Sequence, residues 1–204
     1  MDARAHWEKI YTTQAPDQVS WYRPHLETSL ALIRRAVTDP SAALIDVGGG
    51  ESTLVDDLLA QGFQNITILD VVPAALEAAK KRLGQAAERV HWLVADITQV
   101  ELEPRVYDLW HDRAVFHFLT EPQQRIAYVR QVTRAVKPGG HLIVSTFGPE
   151  GPTMCSGLEV VRYNVDSLHQ EFGARFPLIE SSKEFHKTPL GTPQQFLYCY
   201  CRLE

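Results

Sequence analysis

Short apolar runs alternate with amphipathic stretches along the middle of the chain. Each apolar run is only a few residues long and rich in branched side chains, which is typical of strands buried on both faces of a sheet. The predicted strands cover residues 42–47, 65–71, 90–96, 106–112 and 141–147. The amphipathic stretches predict helices at residues 53–61, 73–83 and 121–136. Such alternation predicts right-handed crossovers and a parallel sheet covered by helices on both faces.

Residues at the element boundaries support these predicted helices. Ser52 or Thr53 can cap the helix over 53–61, and Pro73 suits the first turn of the next one. The sequence KPGG, at residues 137–140, is expected to end the third helix before the last of these strands begins.

The N-terminal part of the chain departs from this alternation. Residues 1–38 hold two aromatic-rich segments, HWEKIY and VSWYRP, followed by a predicted helix in LETSLALIRRAV. We expect residues 1–38 to form a lid and a helix ahead of the first strand.

The C-terminal part also departs from the pattern. A loop rich in glycine and proline, GPEGPTMCSG, precedes a predicted helix near residues 166–173. Two strand-like runs follow at 180–186 and 194–203, and the short connection between them requires antiparallel pairing. The predicted fold is therefore an α/β three-layer sandwich in one domain, residues 1–204, with seven mostly parallel strands and one reversed strand near the C-terminal end.

Composition restricts the possible functions only coarsely. A chain of 204 residues with 45% hydrophobic and 22% charged residues is long enough for one well-packed core, which excludes a disordered or fibrous protein. A net charge of −5 argues against nucleic acid as a partner, because phosphate binding usually needs a basic face. We see no signal peptide and no apolar run of roughly 18 residues, so we expect no membrane partner.

Cysteine usage bears on the compartment. The three cysteines, Cys155, Cys199 and Cys201, are too few for a disulfide scaffold, and a reducing cytoplasm is the simplest expectation. We expect a monomer or a homodimer.

The segment LIDVGGGES, residues 44–52, ends the first predicted strand in three glycines. Glycine lets a backbone approach a ligand closely, and such turns at the carboxyl ends of strands contact ligands in open α/β sheets. No lysine follows, so this is not the phosphate loop of nucleotide triphosphatases. A dinucleotide fingerprint would need glycine at position 53, where Thr53 stands.

The same segment matches a third pattern, D-x-G-x-G-x-[GS], through Asp46, Gly48, Gly50 and Ser52. Here the chain resembles the class I S-adenosylmethionine-dependent methyltransferases, and it does so over nearly its whole length. The resemblance implies a Rossmann-like fold, S-adenosylmethionine as cofactor and S-adenosylhomocysteine as product. Ser52 departs from the family, which more often has glycine there, and it can cap the following helix instead.

The resemblance also implies which residues bind the cofactor. The glycine turn, with Gly49 at its centre, would pass beside the methionine part, and Asp70 at the end of TILDV would accept both ribose hydroxyls. Asp96 and Ile97 would lie by the adenine. The predicted cofactor-binding residues within the sheet and its turns are Asp46, Gly48, Gly49, Gly50, Ser52, Asp70, Val71, Asp96, Ile97 and Asp112.

The segment HDRAVFHFL after the fourth strand resembles the family motif that faces the transferred methyl. Methyl transfer is an in-line displacement that needs positioning and sometimes a base. We expect Asp112 and His117 to be catalytic, with His111 a further candidate, although Asp112 can be a helix cap and His117 a core residue. Arg113 is expected to bind substrate or the cofactor carboxylate. The segment lacks Asn/Asp-Pro-Pro-Tyr, which disfavours methylation of a nucleobase amine.

The N-terminal aromatic residues resemble the lead-in segment of a branch with thiol, small-nucleophile and protein-lysine enzymes. In that branch the segment is a lid. A sulfonium gains cation–π stabilisation from aromatic rings, so we expect Trp7, Tyr11 and Trp21 to bind cofactor and Tyr22 to bind substrate. The alternative is that they cover the sheet edge as ordinary core.

Residues 148–165 follow the fifth strand and are expected to form a substrate-side loop. Cys155 and His186 are predicted to bind substrate, and Arg162 and Tyr163 are further rim candidates. Cys155 could also ligate a metalloid, as in arsenic methyltransferases, but that would need Cys199 and Cys201 to converge on it; we expect no metal site.

The resemblance implies transfer of a methyl group to a small-molecule nucleophile, which could be a thiol, amine, carboxylate or hydroxyl. One alternative is a protein-lysine methyltransferase. Another is a non-catalytic protein with a methyltransferase-like fold that binds a cofactor or a partner.

Overall fold

The computed structural model describes residues 3–204, so residues 1 and 2 of the predicted domain and lid lie outside the described part. A seven-stranded sheet occupies the centre. Its strands are β1 (Ala43–Val47), β2 (Asn65–Asp70), β3 (Val90–Val94), β4 (Tyr107–Arg113), β5 (Val136–Phe147), β8 (Leu178–Lys187) and β9 (Pro193–Arg202). A separate two-stranded hairpin consists of β6 (Met154–Cys155) and β7 (Leu158–Glu159).

Helices lie on both faces of the sheet and across one edge. They are α1 (Ala3–Thr13), α2 (Glu27–Ala36), α3 (Leu54–Ala60), α4 (Pro73–Leu83), α5 (Pro122–Ala135) and α6 (Val165–Phe172). Two 3₁₀ turns, Gly84–Arg89 and Phe116–Phe118, complete the regular structure. None of the helices in residues 3–204 is long and apolar enough to cross a membrane.

The strand order in the sheet is β3-β2-β1-β4-β5-β9-β8. Strands β1 to β5 pair in parallel, whereas β9 is antiparallel to both of its neighbours. The predicted Rossmann-like sheet, mostly parallel with one reversed strand near the C-terminal end, is therefore confirmed.

Strand β1 shows why the core has two halves. All five of its residues are buried, as expected for a parallel strand with helices on both faces. Leu44 packs into the cluster with α2 and α3, while Ile45 and Val47 pack into the cluster with α5 and α6, because successive side chains point to opposite faces.

The segment KPGG differs from its prediction. Helix α5 ends at Ala135 and β5 begins at Val136, so these residues lie within the strand rather than between a helix and a later strand. The pairing of β5 with β4 shifts its register there. Gly139 has φ +77° and its N–H donates to the carbonyl of Leu203 at 2.7 Å, so this segment is held by the end of the chain.

Helix α1 lies near the carboxyl ends of the parallel strands. It packs against α4, and His6 Nε2 donates to the carbonyl of Ser156 at 2.9 Å, which lies between β6 and β7. Helix α1 and the β6–β7 hairpin therefore meet over the edge of the sheet at which β1, β2 and β4 end.

Candidate cofactor and substrate site

The glycine turn after β1 leaves no room for side chains. Gly48 has φ +70°, and a Cβ there would collide with Val115. Gly50 has φ +40°, and a Cβ there would lie 2.9 Å from both Asp70 Oδ2 and the Tyr11 hydroxyl. The N–H of Gly48 donates to the carbonyl of Leu69 at 2.7 Å, which ties the turn to β2. These positions require glycine both for backbone conformation and for space.

A cavity of about 200 Å³ opens beside this turn, at the carboxyl edge of the sheet. We call the part that follows β2 and β3 the acidic side; it contains Asp70, Val71, Ala95, Asp96, Ile97 and Thr98. We call the part above β4, β5 and β9 the aromatic side; it contains Trp21, Arg113, Phe118, Phe147, Cys155 and Phe196. The strand order puts the end of β1, with the glycine turn, between the two sides.

Asp70 lies at the end of β2 on the acidic side and is only 5% exposed. Its Oδ1 accepts the N–H of Val72 at 2.9 Å. Burial raises the pKa of Asp70 to about 7, and the Asp46 carboxylate raises it too, against backbone hydrogen bonds that lower it. A buried carboxylate that lines a cavity can accept further hydrogen bonds from a ligand.

Asp96 and Ile97, which are predicted to lie by the adenine, also line the acidic side. Asp96 Oδ1 accepts from the backbone N–H and hydroxyl of Thr98, and Oδ2 accepts from Gln99 at 2.8 Å. The carboxylate thus shapes its own loop, and Ile97, 5% exposed, offers an apolar surface beside it.

A smaller cavity of about 40 Å³ lies on the other flank of the glycine turn. The predicted residues Asp46, Gly48, Gly49, Ser52, Tyr22 and Arg113 line it. Ser52 Oγ accepts the N–H of Leu54 at 3.2 Å, whereas the Thr53 hydroxyl donates to the carbonyl of Arg23. Ser52 therefore supplies the side-chain acceptor at the start of α3. Gly50 lines neither cavity but packs under Asp70 and Tyr11.

A chain of buried hydrogen bonds runs from Asp46 away from the glycine turn. His111 pairs with Asp46 across β4 and β1, and its Nδ1 donates to Asp46 Oδ1 at 2.7 Å. His111 Nε2 then accepts from the hydroxyl of Ser29 at 2.9 Å. The chain continues from Ser29 to the hydroxyl of Tyr198 at 3.3 Å, and Arg113 Nε donates to that hydroxyl at 3.1 Å. One consistent direction of donation links Arg113 to Asp46.

Arg113 lines both cavities and is held on every side. Its Nη1 donates to the carbonyl of Trp21 at 3.1 Å, and its guanidinium stacks 4.3 Å from the ring of Phe196. Its Nη2 lies 3.4 Å from Glu184, which also pairs with Arg23 at 3.1 Å. Burial alone would raise the pKa of Glu184, but Arg113, Thr28 and Arg23 together lower it. The guanidinium is therefore rigidly placed between the cavities.

Asp112 and His117, the predicted catalytic residues, line neither cavity. Both oxygens of Asp112 are used: Oδ1 accepts from Val115 N–H, and Oδ2 accepts from Phe116 N–H and, at 2.6 Å, from the Tyr128 hydroxyl. Burial raises the pKa of Asp112 to about 6. Asp112 thus caps the 3₁₀ turn, which agrees with the alternative interpretation of this residue as a cap.

His117 is fully buried between aromatic rings. Its Nδ1 accepts the N–H of Phe147 at 3.1 Å, and its ring centroid lies 4.5 Å from that of Phe118. Burial, with the charge of Arg113, lowers the pKa of His117 to about 3. A neutral imidazole whose Nδ1 is already occupied favours the alternative of a core histidine, and its placement gives no support for proton transfer.

The N-terminal aromatic residues lie where the lid was predicted. Trp7, Tyr11 and Trp21 line the larger cavity and Tyr22 the smaller one. The Trp7 ring packs edge-on against Trp21 and Phe118, with centroids 5.6 Å and 4.9 Å away. Burial raises the pKa of Tyr11 far above its usual range, and Asp70 and Glu51 raise it further. Helix α1 thus covers both sides of the cavity.

The residues predicted on the substrate side separate into two groups. Cys155 lines the aromatic side and is 5% exposed. His186 lines neither cavity; its Nε2 donates to the carbonyl of Ser20 at 2.7 Å and so holds the segment before Trp21. Arg162 donates to the carbonyls of Pro149 and Gly151 within its own loop, and Tyr163 packs on Phe116.

The cysteines do not converge. Cys155 belongs to the core cluster with α2 and α3, whereas Cys199 and Cys201 belong to the cluster on the opposite face of the sheet. Burial raises the pKa of Cys199 and of Cys201 to about 12. A site in which all three thiols bind a metalloid is therefore ruled out by this arrangement.

Sequence reasoning missed much of the cavity lining. Phe118, Phe147 and Phe196 form most of the aromatic side, and Arg23 and Glu51 line the smaller cavity. Phe147 ends β5 and could have been predicted from its place at the carboxyl end of a strand. Phe196 could not, because it reaches the cavity only by pairing with Phe147 on the reversed strand.

Comparison with known proteins agrees with this geometry. Residues 44–140, from β1 into β5, match the family described as "Methyltransferase domain".

Among curated relatives, the chain is 37% identical over 120 residues to a malonyl-[acyl-carrier protein] O-methyltransferase from Anoxybacillus flavithermus. That match covers 58% of this chain and 43% of the relative. It is 23% identical over 138 residues to the eEF1A lysine and N-terminal methyltransferase of Mus musculus, covering 68% of this chain and 19% of the relative. The chain thus spans less than half the length of either relative.

Among solved structures, the fold is similar to that of N-methyltransferase NodS from Bradyrhizobium japonicum in complex with S-adenosylhomocysteine. The TM-score is 0.72 at 16% identity, with 100% of this chain and 99% of the other covered. At this identity the likeness supports the fold alone. Residues 44–140 thus match a methyltransferase domain, and the whole chain has the fold of this structure.

Proposed function

We propose that this protein transfers a methyl group from S-adenosylmethionine to a small-molecule nucleophile. The observation that carries the proposal is the glycine turn, in which a Cβ at Gly48 or Gly50 would collide with the residues that face it, next to the buried carboxylate of Asp70. A turn without side chains, beside a carboxylate that lines the cavity, fits a ligand that lies close to the backbone and carries paired hydroxyl groups.

The residues present fit the parts of this cofactor. Asp70 would accept the ribose hydroxyls, with Val71 beside it, and Asp96 and Ile97 would flank the adenine. Asp46, Gly49 and Ser52 would border the methionine end in the smaller cavity. When bound, the cofactor supplies an electrophilic methyl group on a sulfonium.

The chain's own residues would then position the acceptor and exclude water. Trp7, Tyr11 and Trp21 cover the cavity from above, and aromatic faces favour a sulfonium by about 0.5–2 kcal/mol. His6 links α1 to the β6–β7 hairpin, so residues 148–165 and the N-terminal lid would close together. An enclosed pocket favours a small acceptor.

A protein-lysine acceptor is the second candidate, favoured by the similarity to the murine lysine and N-terminal methyltransferase over 68% of this chain. Against it, the hydrogen bond from His6 to Ser156 joins α1 to the β6–β7 hairpin, which favours a cavity closed to a peptide. The small-molecule acceptor is therefore the proposal we carry forward.

The test combines binding with turnover. Calorimetry is expected to detect one S-adenosylhomocysteine site per chain. An S-adenosylhomocysteine release assay over thiols, amines, carboxylates, phenols and a lysine-bearing peptide should give turnover with a small molecule. Binding without turnover on any acceptor would favour the non-catalytic alternative, and turnover on the peptide alone would favour the lysine enzyme.

A further inference from the structure

The two sides of the larger cavity offer a methyl acceptor different chemistry. The carboxylates that line it, Asp70 and Asp96, are on the acidic side, where the proposed function assigns them to the cofactor. Tyr11 comes from α1 and lies against Asp70. An acceptor must therefore lie over β4, β5 and β9, on the aromatic side.

The aromatic side holds one cation and no proton acceptor among the described residues that line it. Its titratable groups are Arg113 and Cys155. Burial raises the pKa of Cys155, so its side chain is a neutral thiol. His111 is hydrogen-bonded to Asp46 and Ser29, His117 to Phe147, and His186 to Ser20. Nothing in this lining can take a proton from the acceptor during transfer.

The charge of Arg113 is only partly balanced. Its anionic partner is Glu184, 3.4 Å away, and Glu184 lies closer to Arg23, at 3.1 Å. Arg23 has a second partner, Glu27, but the Glu27 side chain is 65% exposed and such pairs contribute little. Two guanidiniums thus share one buried carboxylate, and Arg113, whose side chain is 5% exposed, adds net positive charge at the cavity wall.

Arg113 also has N–H groups beyond those that its three hydrogen bonds use. The structure gives it one bond each from Nε, Nη1 and Nη2, to Tyr198, Trp21 and Glu184. Each Nη carries a second N–H in the same plane, which is the fork that suits an anionic group.

We infer that the methyl acceptor is a small apolar molecule whose nucleophile enters already ionised, as a carboxylate or a thiolate, beside Arg113. The inference rests on the proposed function and adds the class of acceptor to it. The aromatic rings of Trp21, Phe118, Phe147 and Phe196 would hold the apolar body, and the guanidinium would hold the charge.

Such an acceptor needs no base. A lone pair of the oxygen or sulfur anion forms the new bond to the methyl carbon, and the bonding pair of the sulfonium's carbon–sulfur bond stays on sulfur. The products are a neutral methyl ester or thioether and S-adenosylhomocysteine, and no proton moves. Opposite charges cancel as the bond forms, which an enclosed apolar pocket favours over water.

Matched acceptors test the inference on the wild-type protein. One series is phenylacetate, phenylmethanethiol, benzylamine and benzyl alcohol, and a second has the same four groups on a butyl body. We expect the carboxylate or the thiol of a series to exceed its amine and alcohol at least about tenfold in turnover. Mass spectrometry of the product, ester or thioether, separates the two anions. A preference for the amine or the alcohol, or no turnover of any anionic member, overturns the inference.

Variants of Arg113 test the role of its charge. Arg113→Gln is expected to lose the preference for the anionic acceptor at least about tenfold, whereas Arg113→Lys retains most of it. Affinity for S-adenosylhomocysteine, measured by calorimetry, should change less than about threefold in both. If the affinity falls tenfold or more while the preference survives, Arg113 serves the cofactor carboxylate and the inference is wrong.

Folding and the proposed function are checked separately. Arg113→Lys keeps a partner for Glu184, so it provides the comparison if Arg113→Gln fails to fold by circular dichroism. A preference of the wild type for amines or alcohols would contradict the inference and leave the proposed function intact. Failure to bind S-adenosylhomocysteine would contradict the proposed function itself.

Discussion

Two buried aspartates at the carboxyl ends of β2 and β4, Asp70 and Asp112, have similar sequence contexts and opposite surroundings. Burial raises the pKa of both, to about 7 and about 6. Asp70 faces the cavity and accepts hydrogen bonds from the backbone N–H groups of Val72, Val71 and Gly50. Asp112 is 0% exposed and accepts from Val115, Phe116 and Tyr128.

The difference lies in what the two carboxylates face. Asp70 accepts from backbone N–H groups of its own turn and of Gly50 and still lines the cavity, whereas the 3₁₀ turn after β4 folds back and donates two backbone N–H groups to Asp112, which lines neither cavity. Tyr128, held by Trp110 at 2.9 Å, adds the third donor from α5. A carboxylate whose acceptor sites are used by the fold has a structural role, and one that faces a cavity can bind.

Replacing Asp112 should give the largest effect, which is a loss of stability. Asp112→Ala leaves three buried donors unpaired, each at a cost of about 1–3 kcal/mol, so we expect the free energy of unfolding to fall by roughly 3 kcal/mol or more. Urea unfolding measures this loss. Affinity of the folded variant for S-adenosylhomocysteine should stay within about threefold of wild type. A stable variant with no turnover would restore Asp112 as a catalytic residue.

Replacing Asp70 should give the reverse pattern. Asp70→Ala is expected to weaken S-adenosylhomocysteine binding at least about tenfold, since hydrogen bonds to a charged group contribute about 1.5–3 kcal/mol. The raised pKa of Asp70 means that its contribution to stability is present at low pH and is lost as pH rises through about 7. The same sign applies to Asp112 through its pKa of about 6, so the comparison rests on the bonds that are lost. Asp112→Ala also leaves the buried Tyr128 hydroxyl without its acceptor, and we expect it to be the more destabilised variant. Unchanged affinity in calorimetry would remove Asp70 from the cofactor site.

The smallest expected effect is the pH dependence of S-adenosylhomocysteine affinity, which further distinguishes Asp70 from Asp112. Ribose hydroxyls donate to the ionised form of Asp70, so binding below its pKa of about 7 requires loss of a proton. Affinity for S-adenosylhomocysteine should rise up to about tenfold between about pH 6 and pH 8 and then level off. Calorimetry in buffers of different ionisation enthalpy reports the released proton. The rise should be absent in Asp70→Asn, and its persistence there would assign the titration to another group.

Much of the fold could be predicted because its signals are local. Helix α4 begins at Pro73 and ends at Leu83 as the periodicity indicated, and the short connection before β9 required antiparallel pairing. The segment KPGG is predicted to end the third helix, but it lies within β5. The structure accommodates it by a register shift against β4 and by pairing with Leu203, which is a long-range contact.

The same distinction between local signals and long-range contacts decides which parts of the candidate site could be predicted. Asp70, Asp96 and the glycines end or follow single strands, so their spacing along the chain predicted that they lie at this edge of the sheet, although Gly50 lines neither cavity. Whether Asp112 faces a ligand depended on how the next turn folds, and Phe196 lines the cavity through its partner on β5.

The sequence by itself determined the order of strands and helices, the turn that only glycine can form and the aspartates that end β2 and β3. These are encoded by periodicity and steric limits over a few neighbouring residues. The tertiary structure decided which buried polar groups have spare hydrogen-bonding capacity. Asp112 accepts three hydrogen bonds within the core and His117 lines neither cavity, while Arg113 has N–H groups beyond its three bonds and unbalanced charge at the cavity wall. Such balances are set by residues far apart in the chain, because burial and hydrogen bonding depend on everything that packs around a group.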